Sequence, residues 1–413
     1  MSAPFTALWV TLLVQAMTAL SMAVPAVLAP AVAEPLGFEV QQVGLLVSIA
    51  YLMAMASGLL CASLSPRYGP VRLSQAALLV TALAMLCYLS GSGWLLLLGA
   101  VCIGIGYGIP NPTAAEILSR HAPLDRRGVF FSIKQTGVPV GIALAGAVLP
   151  ILLLSLGWRL ALVVLLIVLV VAALAVGATQ RVLEPSRPSR PVEGTVPSAS
   201  SAATGWRSMI VDRFVVPVRW VLSIPALRRL SLSAITFAFT QIAFLNFVVS
   251  LLKLEHGLSL AAAAGMLSTS QVLSVFARIF WGHAADRWID PGKLLGVLGV
   301  LMGVCAALLG LAPHGASPVL LLALALGCAA TAVAWNGVYY ADLVRHVEPG
   351  EVGKATAGTQ TLTFFGGVIG ATVFAAVVSL AGSYAAAFAL CAALPLLAGI
   401  ALLRAHRRIS AAN

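Results

Sequence analysis

Residues Asn111–His121 read "NPTAAEILSRH", and 225 positions later Asn336–His346 read "NGVYYADLVRH". Asn111 and Asn336, Arg120 and Arg345, and His121 and His346 share that offset, which also carries Gly128 to Gly353, Gln135 to Gln360 and Thr136 to Thr361. A second register, of 220 residues, joins Ser48 to Ser268, Tyr51 to Gln271 and Arg67 to Arg287. The second half of the chain therefore repeats the plan of the first.

The repeated unit is built for lipid. The chain has 413 residues, 61% hydrophobic and 9% charged, with a mean hydropathy of +1.03. Soluble domains carry roughly a quarter charged residues, so too few are present to cover a water-facing surface. Apolar runs of twenty or more residues recur, each long enough for a hydrocarbon core of about 30 Å. The first begins without a basic leader or cleavage site and is expected to be a membrane span, not a signal peptide. Breakers between runs predict an all-α membrane protein of twelve transmembrane helices in two pseudo-symmetric six-helix bundles. The spans are expected near 7–32, 41–64, 72–90, 94–119, 128–155, 159–180, 228–254, 259–285, 293–312, 317–344, 353–380 and 384–404.

Alternate loops, the tail and the flanking helix ends hold 20 of the 24 Lys and Arg, while the opposite side holds Arg159 and Lys253. The positive-inside rule then predicts that both termini are cytoplasmic. This two-sided distribution, and not a nucleic-acid surface, accounts for the formal charge of +11. The predicted organisation is an N-terminal half over 1–180, a cytoplasmic linker over 181–227 and a C-terminal half over 228–413. The linker's Pro, Ser and Arg content cannot build a core. Trp206, Ile210 and Phe214 inside it have helical spacing, which fits either an interfacial helix or an unstructured tether. The six cysteines lie in apolar runs without a C-x-x-C pair and read as packing residues.

Parallel six-helix repeats of this kind describe a secondary transporter with its site between the halves near midplane. "GHAADRW", Gly282 to Trp288, resembles the Gly-x-x-x-Asp-Arg signature of the major facilitator superfamily. That resemblance, of bacterial type, covers essentially the whole chain. It implies a gating role for Asp286 and Arg287, with Gly282 in the same motif. The first-half copy, "ASLSPRYGPVR", keeps Arg67 but has Ala62 and Pro66 where the signature has Gly and Asp. The fourth span's Gly104–Gly108 run resembles the superfamily's Arg-x-x-Gln-Gly motif, with Ala100 and Ile103 at the polar positions. The fifth span's "GVPVG" is a loose version of the antiporters' Gly-Pro-x-x-Gly-Gly motif.

Two cations lie inside predicted spans. Lys134 stands six residues beyond Gly128 and Arg278 eight before Asp286, roughly 9 Å and 12 Å into their helices at 1.5 Å per residue. Each costs at least about 2.5–3.5 kcal/mol in lipid and needs a partner or a wet cavity. For Lys134 the choices are pairing with Glu116 across adjacent helices, snorkelling, or facing a cavity; Asp342 is the other nearby acid. Arg278 is suited to bidentate capture of a carboxylate. Its spacing to Gly282 resembles the eighth-span arginine of monocarboxylate and oxalate/formate carriers, where it holds the substrate carboxylate. Gln135, Gln241, Asn246, Gln271, Tyr51, Asn111, Asn336 and Gln360 are the neutral polar residues expected to complete a binding site. Pro139 frees the Gln135 carbonyl, while Gly137, Gly141 and Gly146 form a small-residue packing face.

Nucleotide, zinc-protease and serine-hydrolase motifs are absent, so the chain is not expected to be an enzyme or to carry a cofactor. The expected function is gradient-driven movement of a small organic anion, a carboxylate, across a bacterial cytoplasmic membrane. Lys134 is expected to take up a proton with the anion while Arg278 stays as the permanent anchor. The protein is expected to work as a monomer in the bilayer. The competing readings are an exporter of hydrophobic or cationic drugs and a non-transporting sensor.

Overall fold

The structure is a computed structural model that describes residues 2–36, 43–184 and 215–410. Among these the chain is helical throughout, without a strand. Ten stretches are long and apolar enough to cross a membrane. One of them, Leu124–Ala178, has 55 residues, enough for two crossings, and Gly157 (φ +76°) breaks it between them. Leu260–Arg287 adds a further span of 28 residues. Together these make the twelve transmembrane helices of two pseudo-symmetric six-helix bundles.

Helix starts follow local chemistry. Ser259, Ser317 and Ser383 each accept a hydrogen bond from the backbone N–H three residues on, and Pro318 occupies the first helical turn after Ser317. Trp206, Ile210 and Phe214 lie outside the described residues; the helix Val216–Ser223 follows them.

The chain divides into two compact units. The first comprises Met1–Pro123, Thr136–Trp220 and Val347–Gln360; the second comprises Leu124–Gln135, Val221–His346 and Thr361–Asn413. Each unit thus holds a short segment from the opposite half of the sequence. The exchanged segments end at Gln135 and Gln360, the pair related by the 225-residue offset.

In the first unit the fifth span closes on the first. A methyl on Gly137 would meet Gln15 Cβ at 2.9 Å, and one on Gly141 would meet the Leu20 nitrogen at 2.8 Å. Gly146 does not extend this face, because nothing lies near its Cα hydrogens; Ala145, one position earlier, is buried instead. At 3.6 residues per turn a four-residue step turns only about 40° and keeps the helical face, whereas the five-residue step from Gly141 to Gly146 turns about 140° away from it. In the second unit the ninth span packs on the twelfth, where a Cβ on Gly299 would lie 2.8 Å from Gly399 Cα. The six cysteines are unbridged, and those at 61, 87, 102 and 328 are buried.

Candidate functional site

The second unit builds its polar centre around the segment Arg127–Gln135, a short helix squeezed between the eighth and tenth spans. The Asp286 carboxylate accepts from the backbone N–H groups of Gly128 at 2.6 Å and Val129 at 2.8 Å. It thereby satisfies two orphan donors at a helix N-terminus and complements the dipole there. Close approach demands glycine on both sides. A methyl on Gly128 would lie 2.5 Å from the Gly282 carbonyl oxygen, and one on Gly282 2.6 Å from that of Gly128. Gly337 of the tenth span meets the same helix, where a methyl would lie 2.5 Å from Ser132 Cα.

A cavity of about 460 Å³ opens beside this contact, lined by Arg127, Asp286, Arg287, Trp288, Asp290 and Arg345 among others. Arg345 bonds Asp290 at 2.8 Å. Burial pushes the Asp290 carboxyl up, but the hydrogen bond and charge of Arg345 outweigh it and hold the group below its ordinary value.

At the far end of the same segment the two intramembrane cations converge. Lys134 and Arg278 are each 2% exposed. Arg278 Nη1 donates to the Gln135 carbonyl oxygen at 2.8 Å, the carbonyl that Pro139 leaves without a helical donor. Lys134 Nζ lies 5.9 Å from the centre of the Tyr340 ring, which stacks on Phe131, a favourable placement for a cation. Tyr340 continues an aromatic row through Tyr339 and Trp335 to Phe237. At Trp335 the row turns polar: Gln241 Oε1 accepts from Trp335 Nε1 at 3.1 Å and from Asn336 Nδ2 at 3.5 Å. Gln271 stands seven residues before Arg278, hence on the same helical face, and its Nε2 has no hydrogen-bond partner among the described residues. Asn246 is exposed.

Tyr51, Asn111 and Gln360 belong to the first unit. Tyr51 meets Tyr107 edge-on at 6.2 Å. Gln360 Nε2 donates to the Gly108 carbonyl oxygen at 3.0 Å, which Pro112, four residues on, leaves without its helical donor. Arg67 is exposed, with its guanidinium over Tyr68. Glu116 accepts from the Ser65 hydroxyl at 2.9 Å and lies 3.6 Å from Arg120. A methyl on Gly353 would run into this carboxylate. Asp342, the other acid weighed from sequence, faces His346 at 3.6 Å in the second unit.

Sequence reasoning missed Tyr340 as a neighbour of Lys134, and Ser132 and Gly337 as parts of the close helix contact. The adjacent tyrosines of "NGVYYADLVRH" were the available signal, since two large aromatics beside a repeat motif fill specific space. Chemically, the second unit offers a permanent guanidinium, an ammonium, amide groups and an aromatic wall. That set suits an anion with an organic body.

The sequence profile of the Major Facilitator Superfamily matches residues 11–370 and again 231–412. No curated protein compared with the chain matches it significantly. Among solved structures, the transporter FucP in its outward conformation aligns with a TM-score of 0.75 at 17% identity, covering 97% of this chain and 99% of that one. The human organic anion transporter MFSD10 aligns at 0.70 and 19%, covering 97% and 99%. The proton:xylose symporter XylE aligns at 0.67 and 15%, covering 96% and 94%.

Proposed function

Starting from the fact that this chain belongs to the Major Facilitator Superfamily, a family of membrane transporters, we propose that it carries a small organic carboxylate by alternating access. The observation behind this reading is the burial of Lys134 and Arg278 in one unit, tied to one short helix. Two adjacent buried cations repel each other, and a carboxylate between them offsets that repulsion. Arg278 supplies the planar, permanently charged fork, and Lys134 the group that binds a proton together with the anion. Gln135, Gln241, Gln271 and Asn336 add neutral hydrogen-bonding capacity. The organic anion transporter among the structural relatives is consistent with this substrate class.

Asp286 is the gate residue in this reading, with Gly282 providing close approach and Arg287 lining the adjacent cavity. The halves 1–180 and 228–413 are the moving parts and 181–227 their tether. The protein works as a monomer in a bacterial cytoplasmic membrane, with the basic loops and both termini on the cytoplasmic side, as the basic bias supports.

The test is a thermal-shift screen of purified protein against carboxylates, phosphorylated compounds, sugars and cationic drugs. A ligand at a hundred times its dissociation constant stabilises by about 2.7 kcal/mol. Carboxylates are expected to raise Tm in the wild type and to have no effect in Arg278→Gln. Stabilisation by a sugar or a cationic drug that survives Arg278→Gln would overturn the assignment.

A further inference from the structure

We infer that Glu116 is the gate carboxylate of the first unit, a positioning residue that latches the start of the eleventh span and replaces the acid missing from the first-half signature. This rests on the reading of Asp286 as the gate residue of the second unit. The two repeat registers reveal a trade. Position 66, equivalent to Asp286 by the 220-residue offset, is Pro66; position 341, equivalent to Glu116 by the 225-residue offset, is Ala341. Each copy therefore carries one acid over this pair of positions, but at opposite members of the pair. Ala341 lines the cavity beside Asp286, so in the second unit both members of the pair lie at one place.

The first unit puts Glu116 where a latch is needed. The residue is buried, and it belongs to the same unit as the segment 347–360. The helix that begins at Val352 opens its ladder with the Ala355 N–H, which donates to the Glu351 carbonyl at 2.9 Å. The N–H groups of Val352, Gly353 and Lys354 precede that ladder. Val352 and Gly353 are buried, and buried N–H groups need acceptors. Gly353 is the repeat equivalent of Gly128, whose N–H donates to Asp286. Glu116 Oε1 is the atom that a methyl on Gly353 would strike first. The carboxylate thus stands against the first turn, where the helix dipole favours negative charge. Its other oxygen is fixed from elsewhere: the Ser65 hydroxyl donates to Oε2 at 2.9 Å, and Arg120 approaches the same atom at 3.6 Å. Ser65 directly precedes Pro66, so the stretch that lost its acid now supplies a donor that aims an acid from the fourth span.

The test is hydrogen–deuterium exchange of the full-length, ligand-free protein, read over residues 352–356 and 128–131. Glu116→Gln keeps the size of the side chain and an acceptor for Ser65. It is expected to speed exchange over 352–356 about tenfold, the scale of one charge-assisted hydrogen bond, and to leave 128–131 unchanged. Arg120→Gln is expected to leave both segments protected. Glu116→Ala combined with Pro66→Asp returns the acid to the signature position and is expected to recover the protection that Glu116→Ala alone loses. A residue that only packs could not be rescued in this way. Unchanged exchange in Glu116→Gln, an equal effect of Arg120→Gln, or no recovery with Pro66→Asp overturns the inference. Asp286→Asn, read alongside, is expected to release 128–131 alone. If it releases nothing, the gate reading of Asp286 fails, and with it the gating role of Glu116, even where the Glu116 arm shows a latch.

Discussion

In the second unit the segment ending at Gln135 is held by ions: Asp286 grips its N-terminus and Arg278 its last carbonyl. In the first unit the repeat-equivalent segment ending at Gln360 also lies against a carboxylate, that of Glu116 beside Gly353, but its last residue is held by a neutral amide, with Gln360 Nε2 reaching the Gly108 carbonyl. Both docks complete a carbonyl that a proline has stranded, Gln135 by Pro139 and Gly108 by Pro112. The geometric correspondence is close. Gly58, at the repeat position of Arg278, lies so near the Gln360–Gly108 bond that a methyl would sit 3.2 Å from both partners. Thr359, at the repeat position of Lys134, is buried and donates to the Thr356 carbonyl. One fold solution therefore appears twice, once with two buried cations and once with none. The difference teaches that the cations are not needed to seat such a segment.

The docks should differ most in their tolerance of added volume. Gly128 faces backbone, the Gly282 carbonyl oxygen, whereas Gly353 faces the end of the Glu116 side chain. Gly128→Ala is expected to cost about 1–3 kcal/mol by overpacking, and Gly353→Ala clearly less, because a carboxylate can swing aside. Thermal unfolding of the two variants checks this; equal losses would erase the distinction.

Gln360→Leu strands the Gly108 carbonyl and is expected to destabilise by about 1–3 kcal/mol. It should leave carboxylate affinity within about twofold, since the neutral dock carries no ligand charge. Equilibrium binding and Tm on the same preparation decide, and a large loss of affinity would join the two docks into one site.

The smallest effect belongs to the Arg345–Asp290 pair beside the charged dock, whose side chains are 48% and 35% exposed. Such pairs contribute roughly 0–1 kcal/mol. Because the Asp290 carboxyl is held below its ordinary value, the pair stabilises above that value and is lost as pH falls through the depressed one. Arg345→Gln should therefore cost under about 1 kcal/mol at neutral pH, with the gap to wild type closing well below the ordinary value of 3.8. Unfolding measured from neutral into acid pH tests both the size and the sign.

Sequence alone indicated much of this. Apolar run lengths gave the spans, since the bilayer fixes helix length. The 225-residue register identified Gln135 and Gln360 as equivalents before any contact was known, and Pro139 announced a stranded carbonyl. What completes that carbonyl was not legible: a search for partners of Arg278 looks for acidic side chains, and its partner is a backbone oxygen 143 residues away. Asp286 was marked by its motif, yet its role as acceptor for two backbone N–H groups depends on a tertiary approach permitted by Gly128 and Gly282. The exchange of segments between units was hidden for the same reason, because no local propensity encodes it. Glu116 accepts a hydrogen bond from Ser65, a serine with no ionisable group to attract attention.

The exchanged segments also set an order of assembly during synthesis. Gly128 waits for Asp286, 158 residues downstream, and Gly108 waits for Gln360, 252 residues downstream. When the fifth span enters the bilayer, the eighth does not yet exist, and Lys134 must sit with its ammonium drawn toward the headgroups. It can leave that position only once the eighth and tenth spans have arrived to enclose it. Neither unit is complete until a late helix is in place, so the first six spans made on their own would lack part of their own core. The internal duplication that makes the halves look independent ends in a molecule whose halves mature together.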